Sequence, residues 1–147
     1  MEETLNVKGN LHIVIRDANG NIKEEREEKN LVVTAGLGYI ASRMVGTAST
    51  VMSHMEVGTN STAAAAGDTT LGAAVAGSRT ALTSFTASGA VSTAVCTFGA
   101  GVGTGALTEA GIFNASSGGT MLCRTVFSVV NKGAADSMTI TWTITVS

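Results

Sequence analysis

Apolar and polar positions alternate most strictly near the end of the chain. Met138, Ile140, Trp142, Ile144 and Val146 are separated by Thr139, Thr141, Thr143 and Thr145. A period of two puts one strand face in a core and leaves a face of threonines outside. Short apolar runs and segments bounded by turn residues predict further strands at Leu11 to Ile15, Ile22 to Glu28, Leu31 to Val33, Met52 to Val57, Thr80 to Thr86, Ala90 to Phe98, Leu107 to Phe113 and Thr120 to Val130. Asn19-Gly20 marks a hairpin between the first two, because both residues tolerate positive φ. Ser88-Gly89 marks another hairpin. Between the early and late strands, Leu37, Ile40, Ala41 and Met44 fall at i, i+3, i+4 and i+7, which predicts one amphipathic helix capped by Thr34. Residues 58–67 read as a small-residue loop, 68–76 as a helical turn or turn-rich connection, and 99–105, with Gly at every second position, as a flexible loop. Short strands at regular spacing with one helix predict an all-β antiparallel sandwich or jelly roll of about eight strands, opened by an N-terminal β-hairpin. No internal repeat or linker divides residues 1–147, so one domain is expected.

Charge changes this picture by its placement. Of 20 charged residues, 12 lie in the first 29 positions, and the remaining 118 positions hold only eight. Residues 1–29 therefore read as a charged arm or hairpin, with Ile22 to Glu28 an exposed edge strand guarded against further pairing. Residues 30–147 form the body. Ala, Thr, Gly and Ser supply 73 of the 147 residues, Pro is absent and aromatics are 4%. A neutral surface of small side chains desolvates cheaply, which suits burial against neighbours. A net charge of −2 with 44% apolar residues excludes the disordered class. A sequence pI near 5.6 speaks against nucleic acid as a partner. No apolar run reaches the length of about 18 residues that a membrane helix requires.

The candidate chemistry is thin. Gly36-Leu37-Gly38-Tyr39-Ile40-Ala41 fits G-x-G-x-x-A, but its glycines fall inside the helix, and a dinucleotide site needs them at a strand-to-helix turn of a parallel sheet. A small-residue helix packed against a sheet accounts for them. Glu56, Asp68 and Glu109 are scattered and form no acid–base pair in the sequence. His12 and His54 lack the spacing of metal ligands. Cys96 and Cys123 lie on strands and read as reduced, buried residues. No catalytic, cofactor or metal residue emerges, and the expectation is a non-enzymatic protein that works through its surface.

Four stretches taken together resemble small bacteriophage virion proteins. They are residues 30–41 (Asn-Leu-Val-Val-Thr-Ala-Gly-Leu-Gly-Tyr-Ile-Ala), Met55 to Asn60 leading to Gly67-Asp68-Thr69-Thr70-Leu71, Leu107 to Asn114 leading through Ser117-Gly118-Gly119 to Leu122, and Thr139 to Thr145. Within that group the chain is most similar to jelly-roll capsid cement, or decoration, proteins. The resemblance implies a homotrimer on the outer surface of the capsid that binds between subunits of the phage major capsid protein and stabilises the head. Similar patterns occur in tail, baseplate and fibre components, which bind another virion protein or a host glycan. On the cement reading, the cations of the charged segment (Lys8, Arg16, Lys23, Arg26 and Lys29) are the candidate contacts to capsid or neighbouring subunit.

Overall fold

The computed structural model describes residues 5–47 and 50–147. Nine strands and one helix follow in the order β1 (Val7–Arg16), β2 (Ile22–Val32), α1 (Thr34–Met44), β3 (His54–Gly58), β4 (Thr80–Ala81), β5 (Ser84–Ser88), β6 (Val91–Phe98), β7 (Gly105–Phe113), β8 (Met121–Lys132) and β9 (Ser137–Val146). All pairings are antiparallel, in the sheet order β4-β3-β7-β8-β2-β1-β9-β6-β5. The sheet doubles back at β2, and the fold is the all-β sandwich that the periodicity predicts. Leu11, Ile13 and Ile15 of β1, Cys96 and Phe98 of β6, and Met138, Ile140 and Trp142 of β9 meet Met55 and Val57 of β3, Leu107 and Ile112 of β7 and Phe127 and Val130 of β8 in one core. In β9 the apolar residues Met138 to Ile144 are buried while the intervening threonines stay partly exposed.

The charged hairpin is no detached arm, and β2 is no sheet edge, because its last residues pair with β8 on the side away from β1. β1 lies between β2 and β9 and is paired to β9 along its whole length, Val7↔Val146 to Arg16↔Ser137. Its turn also differs from the Asn-Gly expectation. Gly20 N–H donates to Asp17 O (3.0 Å), and Gly20 alone takes a positive φ (+85°). The Asp17 carboxylate holds the turn by accepting from the Asn19 and Asn21 amides.

The stretch expected as one strand over residues 80–86 is divided. Leu82 N–H donates to Ser53 O and Thr83 N–H to Val95 O, so adjacent residues bond to opposite layers. β4 therefore joins β3, and β5 joins β6. The β5–β6 turn is Gly89-Ala90, with Gly89 at φ +57° in the first central position, where a tight hairpin favours glycine.

Helix α1 begins at Thr34, not after it. Val33 is the capping position without a side-chain cap, and Thr34 N–H donates to Ala66 O. The face turned to the sheet is also shifted from the predicted stripe. Gly36 is buried, Tyr39 and Ile40 pack on the core, while Leu37, Ala41 and Met44 are exposed. Gly36 fixes this face, since a Cβ there would stand 2.0 Å from Leu122 O of β8.

Residues 59–79 form a turn-rich loop with a single bridge, Gly58↔Ala74, and no helical turn. The loop lies over the outer side of β7, whose residues from Leu107 to Phe113 are buried on both faces. Leu71, Val33, Phe113 and Met121 make a second, smaller apolar cluster there. The 99–105 loop is held in place as well. Lys132 Nζ donates to Gly99 O (2.9 Å), and Gly101 N–H donates to Ala134 O (2.8 Å).

Candidate interaction surface

The five cations singled out in the sequence fall into two groups. Arg16 turns back on its own hairpin and donates to Gly20 O. Lys23 and Arg26 act along the flank where β2 separates from β8. The backbone ladder between those strands covers only Leu31↔Arg124 and Val32↔Cys123. Beyond it, side chains lace the gap: Thr125 Oγ1 to Lys29 O (2.7 Å), Arg26 to Ser128 O (2.9 Å) and Val129 O (3.0 Å), and Lys23 Nζ to Asp136 Oδ2 (2.6 Å). Glu24, Arg26 and Glu28 stand opposite Ile15, Ile13 and Leu11, on the core-facing side of the hairpin. Glu24 pairs with Arg26 at 2.6 Å and Glu28 stands 3.9 Å from it, so the two carboxylates of this inward row share one guanidinium. Such inward-pointing charge protects a strand flank from pairing with another chain. Lys8 and Lys29 form the second group. Both are exposed and make no ion pair among the described residues.

Asp136, which the sequence did not single out, is the anchor for Lys23. Its carboxylate lies well below the usual range because it accepts from Lys23 Nζ and from the Gly133 amide. Lys132 nearby is buried, and desolvation lowers its amine below the usual lysine range against the opposing pull of Asp136. A depressed carboxyl contributes stability at pH above its unfolded value, about 3.9, and loses it as pH falls through the lower folded value. Urea midpoints measured from pH 5 downward are therefore expected to fall less steeply in Asp136→Asn than in the wild type. Parallel slopes would dismiss this role for Asp136.

The scattered acids are assembled by the fold. Glu109 is fully buried, and its carboxylate accepts from Arg124 Nη2 (2.7 Å) and Nε (3.0 Å) and from the amides of Gly72 (3.0 Å) and Ala73 (2.7 Å). Arg124 Nη1 reaches Asp68 Oδ2 at 2.9 Å, and Nη2 reaches Thr62 O at 3.2 Å. Glu56 pairs with Arg79 (3.1 Å), whose guanidinium lies 3.6 Å from the centre of the Phe113 ring. Every partner here is protein, and the network fastens the 59–79 loop to β7 and β8.

The remaining candidates are structural in their contacts. His12 Nε2 meets Glu25 Oε1 at 2.7 Å, and His54 Nδ1 meets Ser53 Oγ at 2.8 Å. No group of three His, Cys, Asp or Glu side chains converges among the described residues. Cys96 and Cys123 are both free and buried. Burial pushes the Cys96 thiol up to about 12 and raises that of Cys123 as well. A thiol so far from ionisation is a packing residue. Gly36 and Gly38 lie inside α1, which follows β2 in a sheet whose pairings are antiparallel, an arrangement unlike a dinucleotide site.

Two surfaces stand outside these networks. One is the half-sheet β9-β6-β5, in which no residue carries a formal charge and which ends at β5, exposed along all five residues. The other is a cleft of about 760 Å³ where the start of β1 and the end of β2 part, with Lys8 and Lys29 on its rim. No family model, curated protein or solved structure matches the chain.

Proposed function

We propose that the chain is a non-enzymatic structural protein of a bacteriophage virion. In this reading it is a capsid cement protein that binds between major capsid subunits as a homotrimer and stabilises the head. The observation that carries the reading is the charge-free half-sheet β9-β6-β5 with its unguarded edge. Free-standing sheet edges are usually blunted by charge, proline or a covering element. β5 (Ser-Phe-Thr-Ala-Ser) has none of these, and Phe85 on it is 37% exposed. Surface of this kind is stable when neighbours cover it. A protein that binds only the assembled shell adds its binding free energy to the shell by mass action.

Two measurements test this. Light scattering on the purified chain is expected to give three times the 14.8 kDa protomer mass, with Thr86→Lys shifting it towards the monomer while leaving the melting temperature close to wild type. A wild-type monomer at micromolar concentration would overturn the trimer. Quantitative mass spectrometry of particles from the encoding phage is expected to find hundreds of copies on heads. A few to a few dozen copies would replace cement by a tail, baseplate or fibre role, and absence from particles would end the virion reading.

A further inference from the structure

We infer that the cleft between β1 and β2 is a docking slot for an extended, acidic peptide segment of a partner protein, which enters as an added strand. The backbone supplies the first reason. β1–β2 pairing starts at Gly9↔Asn30, so residues 6–8 run beside β9 and Ser147 and have, among the described residues, no strand on the other side. Asn6 exchanges both backbone hydrogen bonds with Ser147. Residues of an antiparallel strand bond alternately left and right, so the Val7 N–H and C=O point away from β9, into the cleft. Across it, Lys29 O and Val33 N–H bond towards β8. By the same alternation Val32 faces the cleft. Two open backbone edges thus flank one gap, the arrangement that takes up an extended segment in strand addition.

The side chains state the chemistry of the occupant. Lys8 and Lys29 line the gap without an acidic partner among the described residues, which favours carboxylates. Leu5, Leu31 and Leu37 line it too, exposed by 71%, 37% and 48%. They provide apolar contact for the alternate residues of a strand. Asn30 also belongs to the lining, but its amide is buried behind it, within hydrogen-bonding reach of the Cys123 thiol. Gly9 leaves the space that this amide fills, because a Cβ there would overlap Asn30 Oδ1. Peptide capture here does not depend on a virion location.

The test uses the full chain and a fluorescein-labelled hexapeptide, Ser-Glu-Val-Glu-Val-Ser, followed by anisotropy. Saturable binding that weakens with added salt is expected. The Lys8→Glu/Lys29→Glu double variant, and a peptide with alternate amides N-methylated, are each expected to bind about tenfold more weakly or worse. Circular dichroism of the double variant should match wild type, since neither lysine is buried. Hydrogen exchange at the Val7 and Val32 amides is expected to slow when peptide is present. No binding, or equal binding by the N-methylated peptide or by the double variant, overturns the inference. A chain that refuses the peptide but self-associates through Lys8 and Lys29 overturns it in favour of a second copy.

Discussion

Replacing Arg124 by methionine is expected to lower stability by about 3–5 kcal/mol, the range for removing one partner of a buried ion pair. The reason lies in what remains. Glu109 is fully buried and would keep only the Gly72 and Ala73 amides, with no cation beside it. The same change frees Asp68 and Thr62 O, both of which Arg124 holds. The loss should therefore appear first in the 59–79 loop, as faster native-state proteolysis there than in the rest of the chain. Glu109→Met removes the other member, and the double variant is expected to fall short of the sum of the two singles by about 0.5–3 kcal/mol. Urea denaturation of the four proteins measures this. An Arg124→Met protein within about 1 kcal/mol of wild type would mean that the loop is fastened by its apolar contacts instead.

Gly36→Ala and Gly38→Ala should act with opposite sign although they lie two residues apart in α1. At position 36 the new methyl would meet Leu122 O, C and Cα at 2.0, 2.7 and 2.9 Å, all of them backbone atoms of β8. A strand backbone in the middle of a sheet yields little, so the helix has to move outward and drag Tyr39 and Ile40 from the core. Overpacking of this kind costs about 1–3 kcal/mol and occasionally more. At position 38 a methyl meets nothing within 4 Å, and the residue is exposed. The substitution there is expected to stabilise by up to about 1 kcal/mol through helix propensity. Equal effects at the two positions would show that α1 is not seated closely on β8.

These two cases mark what the sequence disclosed and what it hid. Met138 to Ile144 alternate with threonines, and the strand is buried on alternate residues, because a single sheet face decides the pattern. The small-residue helix against a sheet was legible in Gly36 for a similar reason: a glycine in a helix signals close approach. The helix stripe was misread, however. Leu37 and Met44 follow a helical period yet face outward, because the contact is set by the residue without a side chain, which hydropathy ignores. β7 carries no alternation at all, since core covers one face and the 59–79 loop the other. Glu109 and Arg124 therefore looked unrelated. Only the pairing of β7 with β8, with Gly111 opposite Arg124, brings the carboxylate and guanidinium together. The cations of β2 were visible as a charged strand, but the carbonyls of Ser128 and Val129 that hold Arg26 belong to a strand about a hundred positions away.

The place of β9 has a consequence for how the molecule comes into being. It stands between β1 and β6, so the ninth strand in chain order fills the middle of a layer that β1 begins. Until residues 137–146 have been synthesised, β1 and β6 each present an open ladder, and Leu11, Ile13, Cys96 and Phe98 lack the Trp142 side of their packing. A nascent chain in that condition is a half-built layer with two adhesive margins, the kind of intermediate that clumps when ribosomes are crowded. Folding of this layer has to wait for β9, and the wait is a window in which sister chains can meet.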